Sequence, residues 1–98
     1  MDNLIDGKIT VIKRPKDYYR IKDETILVVK ETTPDIILAI KKIKGIITEV
    51  NNPLCHAAII SREFNKPLLM GIDGATKNFK TGDRVKINLE KKIIVKIA

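Results

Sequence analysis

The chain of 98 residues holds one histidine, His56, and one cysteine, Cys55, side by side in the stretch from Thr48 to Asn65. One His and one Cys cannot supply the ligands of a closed tetrahedral metal site, so no metal is expected here. Neighbours in sequence do not face each other on a helix, which argues against a Cys–His nucleophile–base pair. His56 on its own remains a candidate nucleophile, and its surroundings bear on that. Asn51 and Asn52 read as turn and N-cap residues, and Pro53 suits a first turn, where its missing N–H would be unpaired anyway. Ala, Ile and Arg then support a helix, which Asn65 and Pro67 end. His56 thus falls in or near the first turn of a short helix, where free N–H groups and the positive end of the helix dipole disfavour an imidazolium and favour an anion. A neutral imidazole beside an anion site is what a phosphohistidine requires. The plainer alternative is a helix-end histidine that hydrogen-bonds a neighbour.

The elements that must position this stretch follow from the pattern around it. Gly7 to Lys13 is rich in β-branched residues and predicts a strand, stopped by Arg14-Pro15-Lys16-Asp17. Tyr18 to Lys22 is ambiguous, one helical turn at most. Thr25 to Lys30 is an apolar run of strand length, expected at the centre of a sheet. Thr33-Pro34-Asp35 reads as N-cap, first-turn Pro and first-turn acid of a helix carrying Ile36, Ile37, Ile40 and Ile43. Lys41, Lys42 and Lys44 suit its C-terminal end, and Gly45 is expected as its terminating residue. Ile46 to Thr48 is a short buried strand leading into the histidine loop, which places His56 at a sheet edge. Pro67 to Ile72 predicts another strand, Gly74-Ala75-Thr76 a turn, and Arg84 to Leu89 a half-buried strand with Val85, Ile87 and Leu89 on one face. Lys92 to Ile97 is its hairpin partner. The expected architecture is a single compact α/β domain over residues 1–98, with a mixed sheet and two main helices.

Composition narrows the class. Hydrophobic residues at 44% suffice for a core, and aromatics at 4% mean it is built from Ile, Leu and Val. No apolar run approaches the roughly 18 residues of a membrane span. A polar start without a secretory pattern and a single cysteine point to the cytoplasm. The formal charge of +7 raises the question of nucleic acid or an acidic partner. Lys is spread along the chain, and Tyr18-Tyr19 are not interleaved with basic residues, so a solvated Lys-rich surface is the favoured reading over nucleic acid. No nucleotide-cradling glycine motif is present.

The words around His56 are recognisable. Asn-Asn-Pro-Leu-Cys-His-Ala-Ala-Ile-Ile-Ser-Arg-Glu-Phe-Asn-Lys-Pro-Leu-Leu-Met-Gly, residues 51–71, resembles the swivelling phosphohistidine (mobile) domain of phosphoenolpyruvate-utilising enzymes such as phosphoenolpyruvate synthase and pyruvate phosphate dikinase. Cys55, His56, Ala57, Ala58, Ile59, Arg62, Glu63, Pro67 and Gly71 carry the match. Thr32-Thr33-Pro34-Asp35, Gly45 to Glu49, Gly74-Ala75-Thr76 and Thr81 to Val85 extend it over roughly Gly7 to Ile97.

The resemblance implies a compact swivelling β/β/α fold in which His56 is transiently phosphorylated. It would relay phosphate between a nucleotide or phosphate site and a phosphoenolpyruvate/pyruvate site. Asn51, Asn52, Leu54, Cys55 and Arg62 would bind the phosphate or shape its site, with Asp35 and Glu49 as candidates for orienting it. The domain would act as a stand-alone phosphotransferase component, not a complete catalyst, binding no cofactor alone. Nucleotide-binding or phosphoenolpyruvate-binding partner proteins would supply both sites and any Mg²⁺. Asn51 and Asn52 replace a usual glycine pair, and Leu54 stands where many members have Thr. These departures sustain the alternative of a binding or regulatory module that keeps the fold without phosphotransfer.

Overall fold

A computed structural model describes residues 4–52 and 54–97. Six strands, β1 (Leu4–Ile12), β2 (Thr25–Val29), β3 (Ile43–Thr48), β4 (Leu68–Leu69), β5 (Arg84–Asn88) and β6 (Ile93–Ile97), form one sheet. Their order is β4-β3-β2-β1-β5-β6. β1 to β4 are mutually parallel, while β5 runs antiparallel to β1 and β6 antiparallel to β5. The mixed α/β sheet expected from sequence is therefore observed, with Thr25–Val29 buried throughout at its centre. The strand expected over 67–72 is ordered as a strand only at Leu68–Leu69.

Alternation along β2 divides the core. Leu27 and Val29 face one side with Ile36, Ala39, Ile40, Ile46 and Ile60, while Ile26 and Val28 face the other with Ile9, Ile47, Leu69, Ala75, Val85 and Ile87. Successive strand side chains point to opposite faces, so a five-residue apolar run can serve both clusters.

The crossover between β2 and β3 differs from the expected α-helix. Pro34–Lys42 winds as a 3-10 helix, and the chain turns directly into β3 at Ile43. Thr33 forms no side-chain cap bond there. Gly45 lies within β3 opposite Ile26, so it does not terminate the helix. Pairing of Ile43 with Thr25 makes the backbone extended one residue after Lys42, which leaves no room for a glycine cap. An earlier 3-10 helix, Pro15–Arg20, the first in the chain, occupies the ambiguous segment after β1 and buries Tyr18. Two α-helices remain, α1 (His56–Glu63) and the short α2 (Ala75–Asn78), the latter where a turn was expected.

Because β1 to β4 are parallel, their C-terminal ends share one edge of the sheet. Lys13-Arg14, Lys30 to Thr33, Glu49 to Asn52 and Met70-Gly71 all emerge there, in the spatial order set by the strands. Such an edge is where sites in open α/β sheets gather.

Candidate functional site

The histidine loop is tied down on both sides before α1 begins. Glu49 N–H donates to the Val29 carbonyl and Val50 N–H to the Lys30 carbonyl, each at 3.2 Å, so pairing with the β2 side continues past the end of β3. On the other side Gly71 N–H donates to the Val50 carbonyl at 3.2 Å and Ile72 N–H to the Thr48 carbonyl at 3.0 Å. Gly71 adopts φ 76, and a Cβ there would sit 3.1 Å from Cβ, Cγ and Nδ2 of Asn51. The exposed Asn51 thus packs where only a glycine leaves space.

Asn52 closes the turn that follows. Its Oδ1 accepts the Leu54 N–H at 2.9 Å, and its main-chain carbonyl accepts the Cys55 N–H at 3.0 Å. This is an Asx turn. Cys55, extended at φ −73 and ψ 164, is the N-cap of α1 and makes no side-chain cap bond. The Asn pair therefore shapes the approach and does not cap the helix, because the helix starts later than the turn signal suggests. Pro53 falls outside the described residues. At the far end Asn65 is left-handed at φ 54, with Asn65 N–H to the Arg62 carbonyl at 3.4 Å and Lys66 N–H to the Ser61 carbonyl at 2.8 Å. This pair of bonds is a Schellman closure, as the Asn65 signal predicts.

His56 is the first residue of α1 and is partly exposed. Its Nδ1 lies 2.8 Å from Thr32 Oγ1, and its Nε2 has no hydrogen-bond partner among the described residues. Thr32 is only 5% exposed at the end of β2, so it holds the ring from a fixed position. Sequence reasoning did not single out Thr32 as a site residue. The only signal was its place in the Thr32-Thr33-Pro34-Asp35 segment, which reads locally as a helix start. The main-chain N–H groups of His56 and Ala57 also have no acceptor among the described residues, while Ala58 and Ile59 donate to the Cys55 carbonyl. Two unpaired donors and an open ring nitrogen can receive an anionic group at this helix start.

The other candidates are placed around it. Leu54 is 80% exposed and carries no hydroxyl. Cys55 Sγ turns away to lie 3.9 Å from Met70 Sδ. Arg62 is exposed on the last turn of α1, and no hydrogen bond or ion pair joins it to His56. Asp35 sits in the first turn of the second 3-10 helix and makes no hydrogen bond to the histidine loop. Glu49 acts by bracing. Its Oε2 accepts the Thr76 hydroxyl at 2.6 Å and the Thr76 N–H at 2.9 Å, joining the start of the loop to α2. Those two bonds, the hydroxyl first, hold its carboxyl below the usual carboxylate value. Among the described residues no group of three or more His, Cys, Asp or Glu comes together to hold a metal, and no helix is long and apolar enough to cross a membrane.

The family model described as "PEP-utilising enzyme, mobile domain" matches residues 21–92. A probable phosphoenolpyruvate synthase of Archaeoglobus fulgidus is 38% identical over 91 residues, covering 93% of this chain and 12% of that protein. A rifampicin phosphotransferase of Bacillus cereus is 34% identical over 85 residues, covering 87% of this chain and 10% of that protein. The chain thus spans about an eighth of the synthase it matches. A solution structure of Enzyme I superposes with a TM-score of 0.65 at 22% identity, covering 81% of this chain and 33% of that one. Aconitase X of Thermococcus kodakaraensis superposes with a TM-score of 0.69 at 17% identity over 99% of this chain and 92% of that one, a likeness of fold alone. With the family match extending over both the His56 helix and the strands that hold it, the chain belongs to the mobile-domain family of phosphoenolpyruvate-utilising enzymes.

Proposed function

We propose that the chain is a phosphoryl carrier and that Nε2 of His56 is the atom that carries the phosphate. The observation that supports this most is the 2.8 Å contact between Thr32 Oγ1 and His56 Nδ1, with Nε2 left open. With the ring proton on Nδ1, donated to Thr32 Oγ1, the lone pair is on Nε2. That lone pair attacks phosphorus of an incoming phosphoanhydride or enol phosphate. The N–P bond forms as the bridging P–O bond breaks, and the electron pair leaves with the donor's oxygen. The His56 and Ala57 N–H groups stabilise the phosphoryl oxygens in place of water. Dividing one transfer into two steps, onto and then off the ring, is covalent catalysis. Partner chains supply the donor and acceptor sites and any Mg²⁺.

A second reading, a binding or regulatory module without phosphotransfer, has one observation in its favour. Asn52 Oδ1 occupies the Leu54 N–H, a main-chain donor close to the ring that a glycine there would leave free. The two are separated by incubating the protein with ATP or phosphoenolpyruvate and the nucleotide-binding and barrel portions of a phosphoenolpyruvate synthase. A carrier gains one acid-labile phosphate by intact mass, and His56→Ala gains none. Absence of an adduct with every donor supports the module.

A further inference from the structure

The positive charge that looks dispersed in sequence is gathered by the topology. Lys13 and Arg14 follow β1, Arg20 ends the first 3-10 helix, Lys30 follows β2, and Lys77 and Lys80 lie on and after α2. These six cations line two adjoining cavities, of about 200 and 1070 Å³, that share Lys13, Arg14 and Thr76. Among the described residues two carboxylates, Asp17 and Glu31, line them as well. Asp17 is engaged locally, its Oδ2 accepting the Lys13 and Arg14 N–H groups at 3.0 and 3.1 Å while Oδ1 lies 3.9 Å from Arg20. No ion pair occupies Lys13, Arg14, Lys30, Lys77 or Lys80 among the described residues. More than half of the formal charge of +7 is thus concentrated on one groove, most of its cations outside any ion pair, although the Glu49 carboxylate acts on Lys30 and Lys77.

The groove lies on the same sheet edge as the histidine. It surrounds the end of β1, two strands from the end of β3 that feeds the His56 loop. At the usual spacing between strands that is roughly 10 Å. Thr33 lines the smaller cavity directly after Thr32, and Thr76 lines both while bonded to Glu49. A body that reaches His56 along this edge therefore passes over the groove.

We propose that this groove is a docking surface for an acidic face of a partner protein. The inference rests on the carrier reading, since it places the partner's acidic face beside the atom to be served. A protein is favoured over nucleic acid because the groove offers bases no stacking platform. Lys96 Nζ already sits 5.4 Å from the centroid of the half-buried Phe79, and Tyr18 is buried. Exposed, flexible cations of this kind act mainly on encounter and orientation, so binding is expected to be fast and sensitive to salt.

The test uses the whole, unphosphorylated chain, isotope-labelled for amide NMR, titrated with an oligoglutamate peptide and with an oligothymidylate of equal charge. Docking is thereby measured without any phosphoryl step, so failure here and failure of the carrier reading are distinguishable. Expected are saturable shifts at Lys13, Arg14, Lys77 and Lys80, fading as salt shortens the screening length from about 30 Å at 0.01 M to about 10 Å at 0.1 M. The double variant Lys77→Glu/Lys80→Glu, both positions exposed, should bind the peptide severalfold more weakly. The control Lys86→Glu/Lys91→Glu, on the β5–β6 side, should bind it as the parent does. Equal weakening by both double variants, or shifts spread evenly over β5 and β6, would overturn the proposal. So would tighter binding of the oligothymidylate than of the peptide. The shift map and salt dependence of the parent chain decide the matter alone if a variant fails to fold.

Discussion

Thr32 Oγ1 and His56 Nδ1 meet at 2.8 Å although 24 residues separate them in the chain. The segment just after β2 carries one and the helix after β3 carries the other, so the contact exists only because those strands are parallel neighbours. It divides the imidazole into a held nitrogen and an open one. Replacing Thr32 by Val removes the hydroxyl at nearly constant shape. Phosphoryl transfer through His56 should slow by up to about a hundredfold, the cost of a misoriented reacting group, while Thr32→Ser retains most of the rate. Stability should fall by only about 1 kcal/mol. Single-turnover transfer kinetics alongside urea unfolding check both parts, and a Val variant as fast as the parent would remove Thr32 from the account.

Gly71 is the tightest backbone position near the site. Gly71→Ala should destabilise by about 1–3 kcal/mol, since φ 76 is strained for an L-residue and the new Cβ meets Asn51 at 3.1 Å. Combining it with Asn51→Gly should recover the part due to the clash and leave the part due to φ. Denaturant midpoints of the two singles and the double give the coupling directly.

Acid should loosen the brace between the histidine loop and α2. The Glu49 carboxyl is held below its ordinary value of 4.5 by the Thr76 hydroxyl and then the Thr76 N–H. A carboxylate depressed in the folded state contributes stability above its unfolded value and loses it as pH falls through the folded one. Asp17, depressed first by the Lys13 and Arg14 N–H groups, behaves in the same sense. Stability should therefore hold from neutral pH to about 5 and decline below. In Thr76→Val the Glu49 titration, followed by carboxyl NMR, should move up toward 4.5 and the acid decline become shallower. An unmoved titration contradicts the brace.

Tyr18 offers a test of the core beneath the groove. It is 2% exposed, and among the described residues neither its hydroxyl nor that of Thr33 has a hydrogen-bond partner. Burial pushes the phenol up to about 12. A buried hydroxyl without a partner costs about 1–3 kcal/mol. Tyr18→Phe should thus leave stability unchanged or raise it, measured as a thermal midpoint at or above that of the parent.

Sequence order explains which features were legible. β2 and β5 announced themselves through burial period and β-branched content, and Asn65 marked the end of α1 because left-handed geometry is a local property. The turn signal at Asn51-Asn52 precedes the helix start by a few residues because Asn52 satisfies its turn with its own side chain before Cys55 takes the cap position. The 3-10 winding of Pro34–Lys42 was hidden because it is dictated by where Ile43 must pair, not by the residues of the helix itself. Thr32 and the six-cation groove were illegible for one shared reason. Both are assembled from segments that only the parallel strand order brings to a common edge.

The carrier account is tested most directly by locating the phosphate on the ring. Long-range nitrogen NMR of the histidine-labelled chain, recorded before and after phosphorylation by donor and partner, reports the state of Nδ1 and Nε2 separately. The account predicts a protonated Nδ1 throughout, a bare Nε2 before transfer and a phosphorylated Nε2 after it. A phosphate on Nδ1, or on any residue other than His56, would contradict it.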